Sequence, residues 1–162
     1  MGRQQHRFHG APRRFEVLAE FINEWYGNRI RYVADVAGGR GMLCRLLQKR
    51  YNYESHVIDP RGWTLKGVAG REIEFGPEHA DYYDLIVGLH PDEATRAVAQ
   101  AALIRPAILI PCCNFWSEAR LGRDELVEAI ADYYQAHHVP FERVTFPFKG
   151  PKNIGLVSEP PG

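Results

Sequence analysis

A short apolar run that ends in a cluster of glycines and passes directly into helix-spaced leucines constrains this chain more than any other segment. Residues 30–36 read as a buried strand and Ala37-Gly38-Gly39-Arg40-Gly41 as a tight turn. Met42, Leu43, Leu46 and Leu47 mark the buried face of the helix that follows. Small residues let backbone amides approach a bound group closely, and a helix N-terminus favours an anionic or electron-rich one.

The same alternation runs from end to end. Phe15, Leu18, Phe21, Ile22, Trp25 and Tyr26 recur at helix spacing, and Gly27-Asn28 supplies a stop. Residues 56–58 form a brief second strand ending at Asp59-Pro60, residues 72–75 a weaker third, and residues 84–89 a stronger fourth. Asp92 is placed to cap an alanine-rich helix that runs to Arg105 and is ended by Pro106. Residues 107–110 are a fully apolar strand, and Leu126, Ile130, Tyr133 and Tyr134 belong to another amphipathic helix. Residues 141–146 and 154–157 close the chain as an antiparallel pair. Alternating strands and helices imply an α/β fold, with right-handed crossovers and a mostly parallel sheet covered on both faces.

At 162 residues the chain holds one compact core, and 45% apolar content spread along it argues against disorder. The expected division is a basic arm over residues 1–14 and a single domain over 15–162. Twenty basic and twenty acidic residues cancel, so net charge does not draw the whole chain to nucleic acid or to a membrane. The arm is the exception, with Arg3, Arg7, Arg13, Arg14, His6 and His9 ahead of the first acid, Glu16. Such an arm can contact phosphate, or it can simply be a frayed terminus. Cys44, Cys112 and Cys113 form no disulfide framework and no CxxC, which points to a reducing, cytoplasmic setting. No secretory signal and no apolar stretch of membrane-spanning length is present in the sequence.

Two carboxylates sharpen the ligand. The fingerprint G-x-G-x-x-G needs a small residue three after Gly41, where Cys44 stands, so a dinucleotide fits imperfectly. Asp35, just before the glycines, suits a cationic amino group and would repel a pyrophosphate. Asp59 stands at the end of the second strand, twenty-four residues on, where an acid can bind both hydroxyls of a ribose.

Asp35-Val36-Ala37-Gly38-Gly39-Arg40-Gly41 resembles the acid-x-Gly-x-Gly-x-Gly motif of class I S-adenosylmethionine-dependent methyltransferases. Gly39 and Gly41 match its second and third glycines, Ala37 replaces the first, and Asp59 matches the family's ribose-binding acid. The resemblance implies a Rossmann-like, seven-stranded sheet with a C-terminal antiparallel hairpin, and S-adenosylmethionine as cofactor. Asp35, Ala37, Gly38, Gly39, Gly41, Asp59 and Leu89 would hold it, with the adenine near Phe75-Gly76 or, alternatively, Trp63.

The fourth strand ends Gly88-Leu89-His90 and the fifth Pro111-Cys112-Cys113, a pairing similar to a methyltransferase subgroup some of whose relatives are linked to RNA modification. The Asn-Pro-Pro-Tyr signature of base-amine methyltransferases is absent. His90 is the candidate general base, since an imidazole accepts a proton near neutrality. His90 with Cys112 and Cys113 could instead hold zinc, but adjacent cysteines are awkward ligands and a fourth is missing, so no metal is assigned. The two cysteines read more simply as small buried residues lining the cofactor pocket. Phe148 with Lys149 and Lys152 would suit a single-stranded nucleotide, or form a solvated hairpin tip, and Phe115-Trp116 offers a second aromatic edge or core packing. The expected function is methyl transfer, with RNA the first acceptor class and a small molecule or protein side chain left open. A non-catalytic cofactor-binding protein acting as a partner or regulatory subunit is the second reading, and an NAD-dependent oxidoreductase the third; a homodimer or a partner subunit is the expected assembly.

Overall fold

The structure, a computed structural model, describes residues 13–150 and 152–162. The basic arm therefore lies outside the described residues except for its last two, and Arg14 already belongs to the first helix, where it is buried. Seven strands form one sheet in the order β3-β2-β1-β4-β5-β7-β6. They are β1 (Tyr32–Val36), β2 (Glu54–Ile58), β3 (Gly70–Arg71), β4 (Leu85–Leu89), β5 (Ala107–Ile110), β6 (Phe141–Thr145) and β7 (Ile154–Ser158). The first five are parallel, and β7 enters antiparallel between β5 and β6. The expected closing hairpin is present in register, from Phe141 opposite Ser158 to Thr145 opposite Ile154.

Helices α1 (Arg14–Tyr26) and α2 (Met42–Tyr51) cover one face, and α3 (Thr95–Ala101) and α4 (Arg123–Ala136) the other. Strand pleating decides which residue goes where, because successive side chains point to opposite faces. Val33, Leu85, Val87, Ile108 and Ile110 meet Leu18, Ile22, Leu43 and Leu47 of α1 and α2. Ala34, Val36, Ile86, Ala107 and Leu109 meet Val98, Leu126, Ile130 and Tyr134 of α3 and α4. The central strands thus carry apolar residues on both faces, as a doubly covered parallel sheet requires.

Three expectations are corrected. Residues 72–75 are not a strand; the third strand is the two-residue β3 at Gly70–Arg71, its Gly70 paired with Val57. An edge strand so short leaves no alternating pattern to read. Asp92 does not cap the alanine-rich helix as expected, because the chain first makes a 3₁₀ turn over Asp92–Ala94 before α3 begins. Its carboxylate makes no capping bond, and the contact runs the other way, with the Thr95 hydroxyl donating to the Asp92 carbonyl at 2.6 Å. α3 also stops at Ala101, with i→i+3 bonds from Leu103 to Gln100 and from Ile104 to Ala101 tightening the chain before Pro106.

Candidate functional site

The strand order reverses between β1 and β4, and the crevice beyond the carboxyl ends of the strands at such a reversal is where ligands bind in open α/β sheets. A cavity of about 360 Å³ lies there. Its wall takes Val36 and Ala37 from the end of β1 and the loop after it, Ile58, Asp59 and Arg61 from the end of β2 and the turn after it, His90 and Asp92 from the segment that follows β4, and Phe75 and Phe115 from other loops. The volume falls within the range of small-molecule sites, about 300–1,000 Å³.

The glycine loop is built around its acid. Asp35 is buried, and a Cβ on Gly38 would fall 2.3 Å from its Oδ2, so only glycine lets the loop fold over this carboxylate. Gly41 has φ +84°, and a Cβ there would lie 2.7 Å from Val57 and from Val68, which ties the start of α2 closely to β2. Ala37 takes φ +54°, a left-handed conformation that favours the glycine of the family motif. The Ala37 amide still bonds the Ile58 carbonyl at 2.9 Å, which extends the β1–β2 pairing into the loop and holds that strained residue.

The two acids meet opposite electrostatic fates. Burial pushes the Asp35 carboxyl up to about 7, against which the Cys44 thiol, 3.7 Å from Oδ2, pulls only weakly. Burial also acts on Asp59, but the Arg61 side chain and the backbone amides of Arg61 and Gly39 outweigh it and hold its pKa below the usual carboxylate range. Arg61 Nε donates to Oδ1 at 2.9 Å, its Nη2 to Oδ2 at 2.6 Å, and the Gly39 amide to Oδ2 at 3.0 Å. Asp59 therefore clamps the glycine loop to the end of β2. Arg61 is about half exposed and stacks over the exposed Trp63, its guanidinium carbon 4.9 Å from the ring centre, so it can leave the carboxylate without breaking the core.

His90 follows β4 with φ +50° and lines the cavity. Its Nε2 lies 2.8 Å from the Lys152 carbonyl. A carbonyl can only accept, so Nε2 carries the proton and Nδ1 keeps the lone pair of the neutral ring. Burial lowers the pKa of His90, which keeps that lone pair free at neutral pH.

The candidate residues divide accordingly. Ala37, Asp59 and His90 stand on the cavity wall together with Phe75, expected near the adenine. Asp35 lies behind the loop, and Leu89 points into the core beside α1 and α2. Trp63 lies out on Arg61. Cys112 and Cys113 are not the buried lining residues expected of them: Cys112 is half-buried and Cys113 exposed. Phe148 is buried against Phe146 and its ring edge faces His90, so it offers no stacking surface to a nucleotide. Trp116 is packed under Arg96, whereas Phe115 is exposed at the cleft. Arg61 and Glu74 on the wall were missed; a basic residue two after a strand-end acid was the available signal for Arg61.

No family model and no curated protein matches the sequence. Solved structures do match in fold. The chain is similar to the sugar N-methyltransferase KedS8 of a Streptoalloteichus species, at 12% identity and a TM-score of 0.59, with 99% of each chain covered. It is similar to CalS10 of Micromonospora echinaspora, an amino pentose methyltransferase solved with S-adenosylmethionine bound, at 12% identity and a TM-score of 0.58, covering 90% of this chain and 89% of that one. DesVI of Streptomyces venezuelae aligns with a TM-score of 0.58 at 10% identity over 90% of each chain. The fold is thus the Rossmann-like class I methyltransferase fold, a mostly parallel seven-stranded sheet with helices on both faces and a C-terminal antiparallel hairpin. Among the described residues no helix is long and apolar enough to cross a membrane.

Two outcomes follow from the loop. Ala37→Gly should relieve the left-handed strain and raise stability by up to about 1 kcal/mol in urea denaturation; a loss of stability would contradict that geometry. Because the folded Asp35 carboxyl titrates near 7 and the unfolded one near 3.8, the folded state alone keeps the proton between those values. Stability contributed by this group is therefore full below pH 3.8 and falls as pH rises to 7, by at most about 4 kcal/mol. Asp35→Asn should remove that slope, which urea denaturation of both proteins at pH 5 and pH 8 would read.

Proposed function

We propose that this protein is an S-adenosylmethionine-dependent methyltransferase. The observation that carries the reading is one cleft at the β1–β4 reversal that joins a glycine loop folded over a buried acid, the ionised Asp59 and a neutral His90. When bound, S-adenosylmethionine would supply a methyl group activated by its sulfonium.

The chain's residues fit that group. Asp59, at the end of β2, is the acceptor for the two ribose hydroxyls once Arg61 moves aside. The loop amides and the space beside Gly39, where a Cβ would meet nothing nearer than Arg61 at 3.7 Å, would admit the methionine end, and Phe75 would flank the adenine. Asp35, half-ionised near neutrality in the free protein, becomes fully ionised when a cationic amine arrives above Gly38. His90 faces the acceptor, its ring held by the Lys152 carbonyl, and takes the acceptor's proton on Nδ1 as the nucleophile attacks. Catalysis is otherwise positioning for in-line attack.

The acceptor belongs to this proposal as well. RNA is the first class, and with Phe148 buried that preference rests on the basic arm and the strand-end resemblance. The likeness in fold to KedS8, named a sugar N-methyltransferase, and to CalS10, named an amino pentose methyltransferase, favours a small amine as the second class. A cytoplasmic setting remains the expectation from the free thiols. The non-catalytic reading is separated by turnover, and the NAD reading by affinity.

Calorimetric titration should show binding of S-adenosylmethionine and of its demethylated product, with NAD weaker. Asp59→Ala should abolish that binding, while His90→Ala should spare it and lower methyl transfer by about 10²–10⁴-fold in a radiolabelled screen of RNA, protein and metabolite pools. Tighter binding of NAD would replace the proposal, and equal loss in both variants would remove His90 as the base.

Binding should also release a proton and tighten as pH rises from 6 to 7.5, because pairing with the ammonium lowers the Asp35 pKa from about 7. Titration in buffers of different ionisation enthalpy reads this directly. Binding that is flat across that range would take Asp35 out of contact with the amine.

A further inference from the structure

Cys112 and Cys113 are adjacent in the chain, yet their sulfurs lie 3.5 Å apart on the same side of the backbone. Neighbouring residues of an extended chain point to opposite faces, so this convergence has to be made by the turn that follows β5. The Phe115 amide closes that turn on the Cys113 carbonyl at 2.9 Å, and the Asn114 side-chain oxygen accepts the amides of Trp116 at 3.0 Å and Ser117 at 3.1 Å. From the 3₁₀ turn that follows β4, Asp92 joins the pair. Its backbone sits at φ +49°, and its carboxylate and the two sulfurs all lie within 4.8 Å of one another. His90, the ligand the sequence offered instead, is not among the groups that lie within that distance of one another.

We propose that Cys112, Cys113 and Asp92 bind one thiophilic divalent metal ion, zinc by its ligand chemistry, with the fourth coordination position left to solvent or to a ligand. Two sulfurs each about 2.3 Å from one tetrahedral ion stand roughly 3.8 Å apart, close to the spacing already present. A carboxylate with two thiolates is a ligand set for zinc rather than for magnesium or calcium, which take oxygen alone. Three protein ligands with an open position are the pattern of zinc sites that act on a substrate, as opposed to closed structural ones.

The charges also close. Two thiolates and a carboxylate carry three negative charges, of which a divalent ion neutralises two. Lys152, with Nζ 3.5 Å from the Cys113 sulfur, supplies the remaining positive charge and an N–H donor to a thiolate, the outer contact that metal-bound sulfur commonly has. Asp92 forms part of the wall of the cavity that holds His90, so an ion held here would border the acceptor side of that cleft. The site stands independently of methyl transfer, since it uses none of the loop residues assigned to the cofactor.

The test is a titration of the full, reduced, metal-free protein with Co²⁺, read by thiolate-to-cobalt charge-transfer absorption in the near ultraviolet and by the visible bands of tetrahedral cobalt, then reversed with Zn²⁺. The expected result is one saturable equivalent displaced by zinc. Cys112→Ser and Cys113→Ser should each cut the charge-transfer intensity by about half or more, and Asp92→Asn should weaken binding at least about tenfold. Circular dichroism would establish that each variant is folded, and Cys113 and Asp92, being exposed, are the substitutions the fold tolerates most readily. Absence of the charge-transfer band in the wild-type protein, or a band that survives both cysteine substitutions, overturns the proposal.

Discussion

β1 is hydrogen-bonded to β2 on one side and to β4 on the other, both in parallel, and everything at the candidate site depends on that double pairing. The chain leaves β1 toward β2 and later returns to lie against the opposite edge of β1, so the connections diverge and leave a crevice above the strand ends. The β1–β2 pairing runs on past the strands through the Ala37 amide and the Ile58 carbonyl, and then through the Gly39 amide and Asp59. A loop of small residues would otherwise be among the softest parts of the chain. Here it is held by the neighbouring strand.

Burial and hydrogen bonding set two carboxylates of one cleft to different charges. Asp59 is surrounded by donors and stays ionised, whereas Asp35 meets a thiol in the core and holds its proton near neutrality. Position along the strands decides this, because Asp35 lies within β1, opposite Val57 and under α2, while Asp59 stands two positions further on, past the last residue of β2 and at the crevice. The free protein therefore presents one permanent negative charge to a ligand and keeps a second in reserve.

The rim of the cleft is also where the backbone is strained. Ala37, His90 and Asp92 all adopt left-handed φ values without being glycine, and all three line the cavity. Each costs about 1–2 kcal/mol and persists because neighbouring hydrogen bonds over-determine it. For His90 those bonds run from its amide to the Ile110 carbonyl and from its ring to Lys152. The result is a histidine tautomer fixed by the hairpin that the far end of the chain contributes.

Much of this architecture was legible in the sequence. The apolar runs at β1, β4 and β5, the helix-spaced faces of α1, α2 and α4, and the closing hairpin follow from side-chain periodicity, which a single chain carries locally. Asp35, the glycines and Asp59 were legible for the same reason, since each sits at a strand end that the pattern marks. What the sequence could not specify depends on which atoms converge from distant segments. The Arg61 clamp on Asp59, the burial of Phe148, the Lys152 carbonyl on His90 and the meeting of Asp92 with Cys112 and Cys113 each join elements whose approach is set by sheet order and turn conformation. Periodicity determined the strands, the loop and its acids; only the tertiary structure decided the charge, tautomer and neighbours of the groups in the cleft, because those are properties of the space between elements.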